Sequence, residues 1–100
     1  MERGIPALLP VTIIIWPECP YCTRVLRYIE ELKLEYTHFA HIPITILDES
    51  RDFNSLRTFH YFLVPCIYVD KKKLFEGPVS RQDVFTALTS ALQISNVIVP

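Results

Sequence analysis

A chain of 100 residues, 50% of them hydrophobic, with ten Lys and Arg against eleven Asp and Glu, has the size of one compact domain. A formal charge of −1 removes the electrostatic basis for a nucleic-acid partner, which needs a basic surplus or stripe. No apolar stretch approaches the ~20 residues that cross a bilayer, so no membrane partner is expected. Residues 5–16 are apolar enough to imitate a signal-peptide core. However, Met1-Glu2-Arg3 has no net positive charge, Pro6 and Pro10 interrupt the run, and no small-residue cleavage site follows. The expected compartment is the reducing cytoplasm.

In chain order, Val11-Thr12-Ile13-Ile14-Ile15-Trp16 is a β-branched run without helical period, ended by Pro17, and is predicted as a buried strand. From Cys19 the period changes: Val25, Leu26, Ile29 and Leu32 recur at helical spacing among charged residues, predicting an amphipathic helix of about three turns. Residues 35–42, with Tyr36, Phe39 and Ile42, are predicted as a second strand. Asp48-Glu49-Ser50 supplies capping residues for a helical pattern through Phe53, Leu56 and Phe59 or His60. Cys66-Ile67-Tyr68-Val69 reads as a third strand, residues 70–72 as a turn at the basic run Lys71-Lys72-Lys73, and Leu74-Phe75 as the start of a fourth strand. Ser80 with Asp83 forms the Asp version of a capping box for a last helix, with Val84, Phe85, Leu88, Ala91 and Leu92 as its buried positions.

The resulting order, β-α-β-α-β-β-α, predicts a small mixed four-stranded sheet with parallel first strands, a hairpin around Asp70 and flanking helices. The whole chain, residues 1–100, reads as a single domain with a core of about 11–93. The tails, residues 5–9 and 94–99, are unusually apolar, and are expected to fold back onto the domain rather than to form a partner surface.

Three cysteines are too few, and odd in number, for a disulfide framework. Cys19-Pro20-Tyr21-Cys22 lies between a predicted strand and a predicted helix. A helix N-terminus, with its unpaired amides and positive dipole end, stabilises a thiolate. Cys19 is placed at that terminus and Cys22 one turn deeper, a spacing that suits attack on a disulfide by Cys19 and release by Cys22. Pro20 suits the first helical turn. The competing reading of a C-x-x-C pair is half a zinc site, whose remaining ligands would come from Cys66, His38, His41 and His60. None of these has a supporting spacing, and no metal is assigned.

On Cys19-Pro20-Tyr21-Cys22 after the first strand, and Leu63-Val64-Pro65 ahead of the third, the chain resembles the glutaredoxin branch of the thioredoxin-like family over residues 11–93. The resemblance implies the thioredoxin-like, glutaredoxin-type α/β fold and a dithiol–disulfide oxidoreductase. It also implies a cis Pro65 beside the cysteine pair, a Val64 backbone that pairs with an extended substrate, and Tyr21 flanking the groove. The substrates implied are disulfide-bearing proteins or small molecules. Electrons come from a thiol or a reductase, without an organic cofactor in the domain.

Two departures stand out. Glutathione-binding relatives carry Gly-Gly followed by Asp near the last helix, where this chain has Gly77-Pro78-Val79-Ser80. Gly77 and Ser80 therefore remain candidate substrate-binding positions without the carboxylate, which weighs against glutathione as co-substrate. Pro17-Glu18 replaces the frequent Lys before the motif, and the Glu18 carboxylate is expected to raise the Cys19 pKa.

Cys66 follows Pro65 and is expected near the pair, as a buried small hydrophobe or a third thiol. His38 and His41 are expected on opposite sides of a strand, His60 is expected to pack, and Trp16 is placed at the site's rim. Two other functions compete for the same residues: a binding module that keeps the fold and holds a protein partner, and metal or iron–sulfur carriage by Cys19, Cys22 and Cys66.

Overall fold

The computed structural model describes residues 6–94 of the chain, with side chains described for 8–92. Four strands form the central sheet: β2 (Val11–Ile15), β3 (Ile44–Asp48), β4 (Cys66–Val69) and β5 (Lys72–Glu76), in the order β3-β2-β4-β5. β2 runs parallel to β3 and antiparallel to β4, and β4 and β5 form the hairpin. The predicted mixed four-stranded α/β architecture is the one observed. A second, two-stranded sheet joins β1 (Pro6–Leu8) to β6 (Leu92–Ile94), with Leu8 opposite Leu92. The inner parts of the two apolar tails thus pair with each other; residue 5 and residues 95–99 lie outside the described residues.

Strand alternation divides the interior in two. Val11, Ile13 and Ile15 of β2 with Ile67 and Val69 of β4 face α1 (Pro20–Glu35) and α3 (Arg81–Ala91), which bring Val25, Ile29, Leu32, Val84 and Leu88 to the same core. Ile14, Leu47, Cys66 and Tyr68 face the other way, under Leu56, Phe59 and Tyr61. The first helix is longer than expected, 16 residues, with Cys22, Val25, Ile29 and Leu32 buried and Leu26 only partly so. In α3, Ser80 forms the capping box: its hydroxyl accepts from the Asp83 amide at 3.0 Å, and the Asp83 carboxylate accepts from the Ser80 amide at 3.0 Å. Ala87 takes a buried position, whereas Phe85 and Leu92 are half-buried.

The strand predicted over residues 35–42 is not one. After α1 the chain turns through a 3-10 segment, Thr37–His41, and the second strand of the sheet is Ile44–Asp48. Tyr36, Phe39 and Ile42 recur every third residue, which is the period of a 3-10 turn and sends both Phe39 and Ile42 into the core. His38 and His41 therefore sit on this turn, both exposed, rather than on a strand. The second predicted helix shrinks to one turn, α2 (Phe53–Leu56), preceded by Asp52 instead of the Asp48-Glu49-Ser50 group. The following Thr58-Phe59-His60-Tyr61-Phe62 run has poor helix propensity. β5 begins at Lys72, two residues before the expected start, so the basic run is shared between turn and strand. Asp70 makes that turn with φ 56°, a conformation Asp tolerates, and the pairing shifts between Ile67 and Tyr68.

Candidate active site

Cys19 is the N-cap residue of α1, with φ −86° and ψ 119°, and Pro20 occupies the first turn as its fixed φ favours. Ahead of it, a tight turn is closed by the Cys19 amide donating to the Trp16 carbonyl at 3.0 Å. The Cys19 carbonyl accepts from the Cys22 and Thr23 amides, each at 3.1 Å, so the helix starts at the cysteine itself. Cys19 is half-buried and Cys22, one turn on, is 1% exposed; both are free thiols.

The two sulfurs are electrostatically unequal. Partial burial works to raise the Cys19 pKa, but the Cys22 amide, the Cys22 thiol and the Tyr21 amide all donate toward its sulfur. Together they pull it below its ordinary value. Glu18, exposed beside it, is not among the groups that set this thiol, and the expected rise does not occur. Burial pushes Cys22 the other way, to about 12. The Trp16 amide, 3.5 Å from its sulfur, opposes that shift, while Cys19 and Glu49 reinforce it.

Val64–Pro65 is a cis peptide, as the resemblance implied. Val64 packs against both halves of the core, and Cys19 packs against the first. Tyr21 is exposed with the Arg24 guanidinium over its ring at 5.3 Å, and Trp16 is exposed at the strand end. Gly77 donates its amide to the Pro65 carbonyl at 2.8 Å, and its φ of +89° is a conformation that strains any residue with a Cβ. Ser80 is occupied as the cap of α3.

Cys66 does not join the pair. It lies in the second core half while Cys22 lies in the first, so the sheet separates them. It is completely buried, and that burial pushes its thiol up to about 11. Among the described residues no three His, Cys, Asp or Glu side chains come together as a metal site. His60 is exposed rather than packed; its backbone is what the fold uses, donating to and accepting from the Tyr68 hydroxyl at 3.1 and 2.8 Å.

Sequence reasoning missed Glu76 and Lys73. The Glu76 carboxylate accepts from the Phe62 and Leu63 amides, and Lys73 reaches both Glu76, at 2.8 Å, and the His60 carbonyl, at 3.3 Å. A charged residue inside Leu74-Phe75-Glu76, just before Gly77-Pro78, was the available signal. Glu49, which accepts from the Tyr61 hydroxyl at 2.6 Å, was likewise missed.

Among known proteins, the chain is 24% identical over 83 residues to a probable thioredoxin of Methanothermobacter thermautotrophicus, covering 83% of this chain and 95% of that protein. Its fold is similar to a solved Fasciola hepatica thioredoxin, with TM-score 0.64 and 16% identity over 89% of this chain and 83% of that one. It is also similar to a thioredoxin-like protein from Clostridium perfringens, with TM-score 0.63 and 20% identity over 90% and 73%. Among the described residues no helix is long and apolar enough to cross a membrane. The glutaredoxin family model matches residues 11–74, which hold the cysteine pair, Val64-Pro65 and all of the sheet but its last strand's end; the chain belongs to the glutaredoxin family, within the thioredoxin-like fold.

Proposed function

We propose that the chain is a cytoplasmic dithiol–disulfide oxidoreductase in which Cys19 is the nucleophile and Cys22 the resolving thiol. The observation that carries this is the inequality of the two sulfurs. One is accessible, at a helix N-terminus and shifted down, and the other is buried and shifted up to about 12. A metal-binding pair would need neither the asymmetry nor the burial of one member.

In the reaction, the Cys19 thiolate attacks one sulfur of a substrate disulfide, forming a mixed disulfide and expelling the other sulfur as a thiolate that takes up a proton. Cys19 then no longer carries charge, so one of the influences holding the Cys22 pKa up is withdrawn at this step. Cys22 loses its proton and attacks the Cys19 sulfur. The second substrate thiol leaves, and the domain ends with a Cys19–Cys22 disulfide, oxidised by two electrons. A dithiol, or a reductase acting through one, returns those electrons.

Substrate binding is assigned to Pro20, Tyr21, Val64, Pro65, Gly77 and Ser80. An extended segment would lie beside the Val64 backbone as an added strand, with Tyr21 at its flank. Gly77 would act by holding the Pro65 carbonyl. Ser80 has the weakest claim, because its hydroxyl and amide are already engaged in capping α3. Both disulfide-bearing proteins and small disulfides fit this scheme.

The test is turnover of a disulfide with dithiothreitol as reductant. Cys19→Ser should abolish it, and Cys22→Ser should accumulate a mixed disulfide on Cys19 detectable by mass. Undiminished turnover in Cys19→Ser would rule the assignment out.

A further inference from the structure

We propose that Glu76 is a positioning residue that fixes the register in which the loop before Pro65 receives an extended, disulfide-bearing peptide. This rests on the oxidoreductase reading above and adds to it the residue that sets the docking edge.

The loop ahead of Pro65 offers consecutive amides at Phe62, Leu63 and Val64. The first two donate to one oxygen of the Glu76 carboxylate, Leu63 at 2.8 Å. The other carboxylate oxygen accepts from Lys73 at 2.8 Å, and Lys73 also holds the His60 carbonyl. On the far side of Val64, the residue after Glu76 takes the Pro65 carbonyl through the Gly77 amide. Among the described residues no hydrogen bond engages the Val64 peptide groups. The chain is therefore held before and after Val64, and the backbone of Val64 itself is left open.

A strand added to this edge has one donor to find. The carboxylate pins the loop through both of those amides, and a one-residue slip along this edge would turn every side chain of the added strand, here the reacting disulfide, to the wrong face. Glu76 stands in a β5 position opposite Cys66 in the pairing register, on the sheet face that the loop covers, so its carboxylate reaches the amides from a fixed strand. The same clamp leaves Phe62, 92% exposed, and Leu63, 57% exposed, projecting beside the docking edge.

The test compares wild type, Glu76→Ala and Glu76→Gln in the dithiothreitol-coupled reduction of a linear peptide carrying one disulfide. Glu76→Ala should raise KM on the order of tenfold with a smaller effect on kcat. The rate of Cys19 labelling by iodoacetamide should stay unchanged. Glu76→Gln keeps an acceptor oxygen for both amides and should restore most of the loss in KM. An unchanged KM in Glu76→Ala, equal damage from Gln and Ala, or slowed Cys19 labelling would each overturn the role. If Glu76→Ala fails to fold, the Gln variant and hydrogen exchange in the wild type decide: Phe62 and Leu63 amides exchanging at unstructured rates refute the clamp. Absence of turnover in the wild type overturns the oxidoreductase reading and this role with it. Wild-type turnover with an indifferent Glu76→Ala overturns this role alone.

Discussion

The inequality of the cysteines makes a quantitative prediction for alkylation of the reduced protein by iodoacetamide. At neutral pH a thiol titrating at about 12, as Cys22 does, is roughly 10⁻⁵ ionised. A thiol at 9.0 is about 10⁻² ionised, and Cys19 lies below that value, so it carries at least ~10³ times more thiolate. The more basic thiolate is intrinsically the better nucleophile, and a Brønsted slope of about 0.45 returns a factor of about 20 to Cys22. The net preference for Cys19 is then at least ~50-fold from ionisation alone. Access adds to it, because Cys22 is 1% exposed. Cys66, at about 11, should trail Cys19 by at least ~10-fold on the same reasoning, with its complete burial adding further protection.

The assay is brief labelling followed by peptide mass spectrometry, which reads occupancy at each cysteine separately. Labelling of Cys19 should also rise with pH through a midpoint below 9.0. Cys22 labelled within about tenfold of Cys19 would refute the reasoning, since it would mean that neither burial nor the donors at the helix start distinguish the pair.

Other outcomes follow from the same structure. Phe39, 1% exposed and in ring contact with Tyr36, His38 and Phe85, should cost about 3–5 kcal/mol when replaced by Ala, measured by denaturant unfolding. Gly77→Ala should cost about 1–2 kcal/mol through its left-handed backbone, since the nearest obstacle to a Cβ is the flexible end of Leu63 at 3.3 Å. The Glu76 carboxyl is held down to about 2 by Lys73 and by the Phe62 and Leu63 amides. Its folded pKa lies below the unfolded ~4.3, so the clamp's stabilisation is complete above that pH and is lost as pH falls toward 2. Acid titration followed by Phe62 and Leu63 amide resonances should show the loop releasing in that window. Glu18→Gln should leave the midpoint of Cys19 labelling in place, because an exposed carboxylate is screened by water and salt; a clear fall in that midpoint would restore the influence expected from sequence.

Elements whose pattern belongs to one period were legible in the residues. The β-branched run at Val11 could only be a buried strand, and the Ser80/Asp83 pair announced the cap it makes. The failures are places where one spacing serves two structures. Tyr36, Phe39 and Ile42 at intervals of three satisfy a 3-10 turn fully and a strand only in part, because a strand would send Phe39 to the face opposite the other two. The strand Ile44–Asp48 was hidden by that choice, since placing a strand before Pro43 used up the space for one after it. The pattern through Phe53 and Leu56 survives as packing, with Leu56 and Phe59 against the second core half, although the helix itself ends after one turn.

At the site, the motif identified the pair but not the balance of forces on it. From residue types, the helix N-terminus and Glu18 are expected to push the Cys19 thiol in opposite directions, and residue types alone do not rank them. Hydrogen bonding and solvent do: Tyr21 and Cys22 donate directly to the sulfur, whereas the Glu18 charge is exposed to water. Cys66 carries the converse lesson. Its adjacency to Pro65 suggested proximity to the pair, yet in a strand the position next to a core-facing residue points the other way. Ile67 faces α1, so Cys66 cannot. The rule that makes β4 a strand is the one that turns Cys66 to the other core half from Cys22, and the reaction proposed above draws on Cys19 and Cys22 alone.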